Sequence, residues 1–197
     1  MQPLYNSVKH MLSPIPQWVA VYVRSRSEKR VAELMQRVGV ENYLPIVSRL
    51  HKWSDRYKMV EEPLFKSYVF AKIKKSEVSI VREIDGVVEI VGFCGEIVTV
   101  PEEQISTIKC MVDAQQDLSV MHSDALKKGV RVKIVDGVFS GREGLLISDC
   151  KEGNFAVRID AIGLSLVTHI DRLLLQPVFV KDIKSSPKKE KKHKQQG

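Results

Sequence analysis

Residues 52–70 read KWSDRYKMVEEPLFKSYVF and join a charged segment to a dense aromatic run. In residues 52–58, three lysine or arginine side chains surround a single acid, Asp55. Pro63 marks the point where a turn gives way to the apolar run. Proline within sheets is confined to edge strands, strand starts and bulges, so it is typical of such a boundary. The charged segment therefore predicts an exposed loop, and the aromatic run after it predicts a buried strand.

A strand and a helix are predicted upstream of this stretch. Trp18–Val23 is a nearly continuous apolar run rich in β-branched and aromatic residues, which is typical of a central strand buried on both faces. Ser25 followed by Glu28 matches a capping box, and Gly39 supplies a C-terminal stop. We therefore expect residues 26–38 to form one amphipathic helix.

The other elements of this first region alternate strands with helices. The pattern predicts an α/β sandwich, in which helices pack on a four- or five-stranded sheet. The predicted elements are a hairpin (residues 43–50 and 59–60) with the charged segment at its tip, a strand at 68–74 with one wet face, a helix from Ser76 to Ile84, strands at 87–91 and 97–100, and a helix from Pro101 to about Ala114 that buries Ile105, Ile108 and Val112.

The chain changes character from Gly129. Six of the eleven glycines fall between Gly129 and Gly163. Short strands separated by glycine turns predict a small all-β barrel. Residues 115–125 lack periodicity and are interpreted as a linker. The strands of the barrel are predicted at 130–135, 144–148, 154–158, 164–170 and 173–175.

Composition limits the class of protein. The chain has 197 residues, of which 44% are hydrophobic and 28% charged, as expected for a globular protein. No run approaches the roughly 20 apolar residues of a membrane span, so we expect a cytoplasmic protein without a membrane partner. The three cysteines are scattered without C-x-x-C spacing, which argues against a disulfide framework or a zinc site.

The net charge of +7 is concentrated in the C-terminal tail. From Lys181 onward there are seven lysines and two acids, whereas residues 1–180 hold 24 basic and 22 acidic residues. Any nucleic-acid contact by the folded part therefore needs local basic clusters. The tail either adds a salt-sensitive attraction to phosphate or is a solvated, disordered terminus.

No set of residues indicates catalysis. The five histidines are dispersed, and none lies four residues from another or beside a cysteine. Neither the G-x-x-x-x-G-K-[ST] nor the G-x-G-x-x-G phosphate-binding motif is present. We expect a non-enzymatic protein that needs no cofactor and no metal.

Four segments occur in the order and at the spacing of one known family: Trp18–Val31, Pro63–Phe70, Gly86–Val88 and Gly129–Gly144. Together they resemble the NusG family of transcription elongation factors. The segment Trp53–Arg56 and the Pro-Leu-Phe sequence are most similar to the specialised RfaH-like and capsule-operon UpxY-like antiterminators. One difference is that Lys-Ser stands where many members have Pro-Gly or Pro-Asn before the aromatic run.

The resemblance implies a two-domain organisation. Residues 18–114 would form a ferredoxin-like NGN domain of the α+β sandwich type, and residues 127–178 an SH3-like KOW barrel. Residues 115–126 would be the linker. A flexible N-terminus (1–17) and a disordered basic tail (179–197) would flank the two domains.

In this family a hydrophobic cavity of the NGN domain grips the clamp helices of the RNA polymerase largest subunit, which is helix-in-groove recognition. From the residue types alone, the same side chains can equally be ordinary core of the sheet. The resemblance assigns polymerase binding to Tyr22, Phe65, Tyr68, Phe70, Ile90 and Phe93.

Two basic clusters are expected to contact non-template or upstream DNA. Arginine can stack on an unpaired base as well as pair with phosphate, although a solvated helix face is the alternative. The cluster at the first helix comprises Arg24, Arg26, Lys29 and Arg30, and the cluster at the hairpin tip comprises Lys52, Trp53, Arg56 and Lys58.

The resemblance implies a monomeric elongation factor or antiterminator that holds the polymerase clamp shut and suppresses pausing and termination, with a capsular or exopolysaccharide operon as a candidate target. The KOW domain would recruit a second partner, such as ribosomal protein S10 or Rho, through Ile134 and Phe139. Its glycines and β-branched residues favour a permanent barrel over a helical hairpin. The alternative is a ribosome-associated, RNA-binding KOW protein.

Overall fold

The computed structural model describes residues 14–53, 55–114, 117–123, 129–147 and 154–178. The predictions for the extreme N-terminus and for the basic tail concern residues outside these ranges, as do parts of the predicted linker. Within the described ranges, no helix is both long enough and apolar enough to cross a membrane.

The first domain is built on a five-stranded sheet. Its central strand β1 (Gln17–Val23) pairs with β5 (Tyr68–Ile73) on one side and with β6 (Val87–Ile90) on the other. Strand β2 (Glu41–Tyr43) extends the sheet beyond β5, and β9 (Thr99–Val100) also pairs with β1. All these pairings are antiparallel, which is typical of the α+β class.

Two helices cover one face of this sheet. Helix α1 (Glu28–Arg37) lies at the predicted position, and α2 (Val78–Glu83) follows a single 3-10 turn. Val31 of α1 and Val81 of α2 pack with Val19 of β1 in a core that is fully buried. The apolar side chains repeat every three to four residues along each helix, and this spacing places them on the sheet.

Helix α3 (Glu102–Asp113) lies on the opposite face and is anchored by Trp18. The indole Nε1 of Trp18 donates a hydrogen bond of 2.9 Å to Glu102, and Lys72 forms an ion pair of 3.1 Å with the same carboxylate. Both contacts lower the pKa of Glu102, with Trp18 the larger cause. The ammonium groups of Lys72 and Lys109 lie 5.6 and 5.3 Å from the indole ring centre, within the range of cation–π attraction.

Two expectations for this face are wrong. Strand β5 has no wet face, because α3 and its surroundings cover Phe70 on one side while the first two helices cover Val69 on the other. In α3 the third buried position is Met111, and Val112 is only half-buried.

Two short ribbons extend from the sheet. Strands β3 (Ile46–Lys52) and β4 (Tyr57–Pro63) form the first ribbon, which is longer than predicted. Tyr43, predicted to lie in this hairpin, belongs instead to β2. Strands β7 (Gly92–Phe93) and β8 (Glu96–Ile97) form the second ribbon, and their turn places Cys-Gly at positive φ, as in a tight hairpin turn.

The second domain is one antiparallel sheet of six strands in the order β10-β14-β13-β12-β11-β15. Strand β10 lies within the predicted linker and pairs with β14, so that segment is part of the fold. β10 and β15 stand at the two ends of this order, and closure into a barrel stays a prediction. The strands are β10 (Ser119–His122), β11 (Val130–Ile134), β12 (Glu143–Leu146), β13 (Asn154–Ile159), β14 (Leu164–His169) and β15 (Leu175–Pro177).

Gly144 of the second domain is required by close packing. A Cβ at this position would overlap the ring of Phe155 and the carbonyl oxygen of Ala156 on the neighbouring strand. A glycine inside a strand often marks such a close approach.

The two domains share one apolar core. Arg142 donates a hydrogen bond of 2.9 Å to the hydroxyl of Ser106 on α3, and the thiol of Cys110 lies 3.3 Å from the carbonyl oxygen of Val138. The second domain therefore packs against α3. The shared core includes Ala20, Phe65, Phe70, Ile105, Ile108, Leu118, Ile134, Phe139, Phe155 and Leu166.

The Lys-Ser turn before β5 depends on a buried carboxylate. Ser67 adopts a φ of 64°, a left-handed conformation that favours glycine. Its N–H donates a hydrogen bond of 2.8 Å to Glu28, which is buried, and its carbonyl accepts one of 2.9 Å from Val23. The predicted capping box is therefore wrong, because Glu28 binds this turn and residue 27 rather than Ser25 precedes the helix.

We expect Glu28→Ala to lower the free energy of unfolding by about 1–3 kcal/mol, because the N–H of Ser67 loses its acceptor in a poorly hydrated site. Urea denaturation of the full chain measures this change. Glu33→Ala is the matched control, since Glu33 is exposed on the same helix and its loss should change stability by less than about 0.5 kcal/mol. Equal effects of the two substitutions would contradict the role given to Glu28.

Candidate functional site

Tyr22 and Tyr68 form the accessible part of the predicted polymerase surface. They stand opposite each other in the β1–β5 register, and their ring centres are 5.5 Å apart. Tyr22 is 37% exposed, and Tyr68 is half-buried. Burial raises the pKa of Tyr68, with smaller contributions from Tyr22 and Glu89, so the Tyr68 ring offers an uncharged aromatic surface with a polar edge.

Phe65 and Phe70 lie beneath this surface. Phe65 is only 1% exposed, and it packs edge-to-face against Phe70 with ring centres 5.8 Å apart. Both rings belong to the core that the two domains share. In this arrangement they are therefore core residues and present no surface to a partner.

The structure separates Ile90 and Phe93 from each other. Ile90 stands opposite Val21 in the β1–β6 register and packs into the core beneath α1 and α2, on the other face of the sheet from Tyr22. Phe93 is 65% exposed on the β7–β8 ribbon. Ile90 thus lies on the other face of the sheet from Tyr22, Phe65, Tyr68 and Phe70.

The two residues predicted to bind a partner of the second domain are both core residues. Ile134 of β11 and Phe139 of the turn that follows it are buried in the core shared with the first domain. This position leaves neither side chain accessible while the two domains are packed together.

The basic cluster at α1 is partly neutralised by acids. Asp85 forms ion pairs with Arg24 at 3.5 Å and with Arg30 at 2.8 Å, and Lys29 lies 3.7 Å from a Glu61 carboxylate oxygen. These pairs are exposed, so each contributes little stability, but they lower the local positive charge. Arg26 is exposed at a φ of 65° and forms no ion pair with any residue that the structure describes.

The basic residues at the tip of the β3–β4 ribbon differ from this cluster. Lys52, Arg56 and Lys58 are exposed, and none of them pairs with an acid among the described residues. The backbone N–H of Trp53 donates a hydrogen bond of 2.8 Å to the carbonyl of Arg56, which closes the tip. The Trp53 ring is exposed.

Three exposed apolar residues of the ribbon did not emerge from the sequence: Leu50, Tyr57 and Met59. In the sequence these residues alternate with polar residues along two segments that pair, and such alternation indicates one face of a ribbon. That signal needs the strand register, and the predicted second strand was too short to define it.

In the described ranges, no three His, Cys, Asp or Glu side chains group as metal ligands. A cleft of about 1270 Å³ lies between the domains, but basic and acidic side chains line it in equal number. These are Arg131, Arg142 and Arg158 with Glu102, Glu103 and Glu143.

Two solved structures are similar to this chain over most of its length. Thermotoga maritima NusG shares 20% identity over 83% of this chain and 98% of its own, with a TM-score of 0.48. The MjSpt4:Spt5 complex in conformation B shares 17% identity over 82% of this chain and 96% of the matched chain, with a TM-score of 0.28. No curated protein matches the sequence.

The family model NusG, described as transcription termination factor nusG, matches residues 16–109. This range contains the five-stranded sheet, both ribbons, α1, α2 and most of α3. Residues 16–109 are therefore similar to the NusG family, whose proteins are non-enzymatic transcription factors.

Proposed function

We propose that this protein is a transcription elongation factor that binds RNA polymerase through its first domain and suppresses pausing and termination. The observation that carries the proposal is the NusG family match over residues 16–109, the range that forms the aromatic face of the sheet. The factor acts in the cytoplasm as a monomer, and it needs no cofactor. The resemblance of Trp53–Arg56 to RfaH-like and UpxY-like proteins supports a specialised antiterminator, with a capsular or exopolysaccharide operon as its target.

The polymerase surface comprises Tyr22, Tyr68 and Phe93, with Phe65 and Phe70 as its floor. The partner is the pair of clamp helices in the largest subunit, because a helix can lie against an apolar sheet face with aromatic anchors. Ile90 is not part of this surface, since it lies on the other face of the sheet.

Full engagement requires the second domain to leave α3, because Phe65 and Phe70 share their core with it. Polymerase binding and domain packing therefore compete for one apolar face. Once separated, the second domain can bind a further partner, such as ribosomal protein S10 or Rho, and Ile134 and Phe139 become available to it.

DNA contacts complete the proposal. Arg26 and the ribbon tip carry cations without acidic partners among the described residues, and they favour the non-template or upstream strand as ligand. Arg24, Lys29 and Arg30 contribute less, because acids already neutralise part of their charge.

Replacing both exposed aromatics, Tyr22→Ala with Phe93→Ala, should weaken binding to core RNA polymerase by about 2 kcal/mol, because exposed aromatic anchors carry much of an interface energy. The affinity is measured by titrating the full-length protein against surface-immobilised polymerase. Val88→Ala is the matched control, an exposed apolar residue on β6. Unchanged polymerase affinity in the folded double variant, or specific binding to ribosomes instead of polymerase, would refute the proposal.

Phe65→Ala should lower the free energy of unfolding by about 3–5 kcal/mol, because it removes a fully buried ring from the shared core. Phe93→Ala should change it by less than about 0.5 kcal/mol, because that ring is largely solvated. Thermal and urea unfolding distinguish the two. A small effect of Phe65→Ala would show that the core does not depend on this ring.

Arg142→Ala should raise polymerase affinity about two- to tenfold, because it removes a hydrogen bond that seats the second domain on α3. Lys133→Ala serves as control, since Lys133 is exposed on β11 and changes the net charge equally. The same polymerase titration applies. Identical affinities for Arg142→Ala and the wild type would argue against competition between domain packing and polymerase.

A further inference from the structure

Glu89 lies in one row with the two accessible tyrosines. In the pairing register, Tyr22 of β1 stands opposite Tyr68 of β5 on one side and opposite Glu89 of β6 on the other. Residues directly opposite each other in a sheet point to the same face, with Cβ atoms about 4.5–5.5 Å apart. A carboxylate and two phenol rings therefore lie side by side across neighbouring strands. We call these three residues the tyrosine–glutamate row.

The negative charge of this row is not balanced. Glu89 is exposed, and its carboxylate forms no ion pair within the ranges that the structure describes. Asp85, by contrast, is already paired with two arginines. Burial raises the pKa of Tyr68 most, and the charges of Tyr22 and Glu89 raise it further, which is consistent with a carboxylate close to the rings. The row therefore offers a negative charge beside aromatic faces.

The two rings can accommodate a flat cation. The ring centres of Tyr22 and Tyr68 are 5.5 Å apart, and their planes are tilted by 55°. The face of an aromatic ring is partly negative, and it attracts a cation within about 6 Å of the ring centre. One cation can lie within this distance of both rings, and the exposed part of Tyr22 leaves the position accessible from solvent.

Arginine fits this row better than other charged groups. Its guanidinium is planar, stacks on aromatic rings and forms paired hydrogen bonds with a carboxylate. The ammonium group of lysine is compact and more strongly hydrated, so it gains less from the rings. A nucleic-acid strand is a poor ligand for the same row, because Glu89 repels its phosphates.

The other solvated aromatic of this surface also has an acid beside it. Phe93 stands directly opposite Glu96 on the β7–β8 ribbon. Glu96 forms no ion pair in the described part of the chain. Both exposed aromatics, Tyr22 and Phe93, therefore have a carboxylate as cross-strand neighbour. The complementary partner is a basic one, since interfaces place opposite charges against each other.

We propose that the tyrosine–glutamate row is a receptor for one arginine side chain on the partner helix. The guanidinium lies against the rings of Tyr22 and Tyr68 and donates hydrogen bonds to the Glu89 carboxylate. Glu89 is then a specificity residue, because a charge pair at an interface selects the partner and fixes its register. The identity of the partner rests on the proposed function, which assigns this surface to the clamp helices. The preference for arginine rests on the row itself.

The test titrates the full-length protein against surface-immobilised core RNA polymerase. Glu89→Gln keeps the size of the side chain but removes its charge, and it should weaken binding at least about fivefold at low salt. The difference from the wild type should shrink as the salt concentration rises, because salt screens exposed charges. Glu83→Gln is the matched control, since Glu83 is exposed on α2 at the other face of the sheet and should not contribute to binding.

The contribution of the ring is measured separately at Tyr22. Tyr22→Phe keeps an aromatic face and should bind polymerase nearly as the wild type does. Tyr22→Leu keeps an apolar side chain without that face, and it should weaken binding about two- to fivefold. Urea midpoints verify that each variant folds. Equal affinities of the two variants would show that the ring acts only as apolar surface, which contradicts the proposal.

A double-mutant cycle identifies the partner's arginine. Each exposed arginine of the clamp helices is changed to glutamine in turn, and one of these changes should abolish the effect of Glu89→Gln. Wild-type affinity of Glu89→Gln, an equal loss in Glu83→Gln, or coupling of Glu89 to no arginine would overturn the proposal while polymerase binding stands. Absence of polymerase binding by the wild type would instead refute the proposed function, and with it the partner named for this row.

Discussion

Almost every side chain of strand β1 is buried, and this burial requires covering layers on both faces of the sheet. Val19, Val21 and Val23 point into the core beneath α1 and α2, whereas Trp18 and Ala20 point into the core beneath α3. A strand buried on both faces needs a layer on each side. The first layer is supplied by the helices of the first domain, and the second layer is completed by the second domain, so the domain arrangement follows from one strand.

Local patterns in the sequence predict the elements that short-range spacing determines. The apolar spacing of α1 and α2, and the apolar run of β1, are sufficient to locate those elements. Strand β10 was missed because its four residues are held by pairing with β14, more than forty positions away. Glu28 was assigned to a capping box because the motif is local, yet its actual partner lies 39 residues further along the chain.

The candidate site shows the same division. Residue type alone cannot distinguish Phe65 from Phe93, although one ring is in the core and the other is in solvent. The difference arises from long-range packing against α3 and the second domain. Likewise, the sequence does not distinguish the basic residues at α1 from those at the ribbon tip. The difference depends on the positions of Asp85 and Glu61, which form ion pairs with the cations at α1.

The shared core also has a consequence for synthesis. The ribosome completes α3 at Asp113 well before it reaches Leu166 and Ile170, which complete the same core. Those residues follow after more than fifty further peptide bonds, which takes roughly 3–12 s at about 5–20 residues per second. For that interval the second domain does not yet cover Phe65 and Phe70 of the nascent first domain. The face that the finished protein encloses is therefore open to chaperones or binding partners while the chain is still being made.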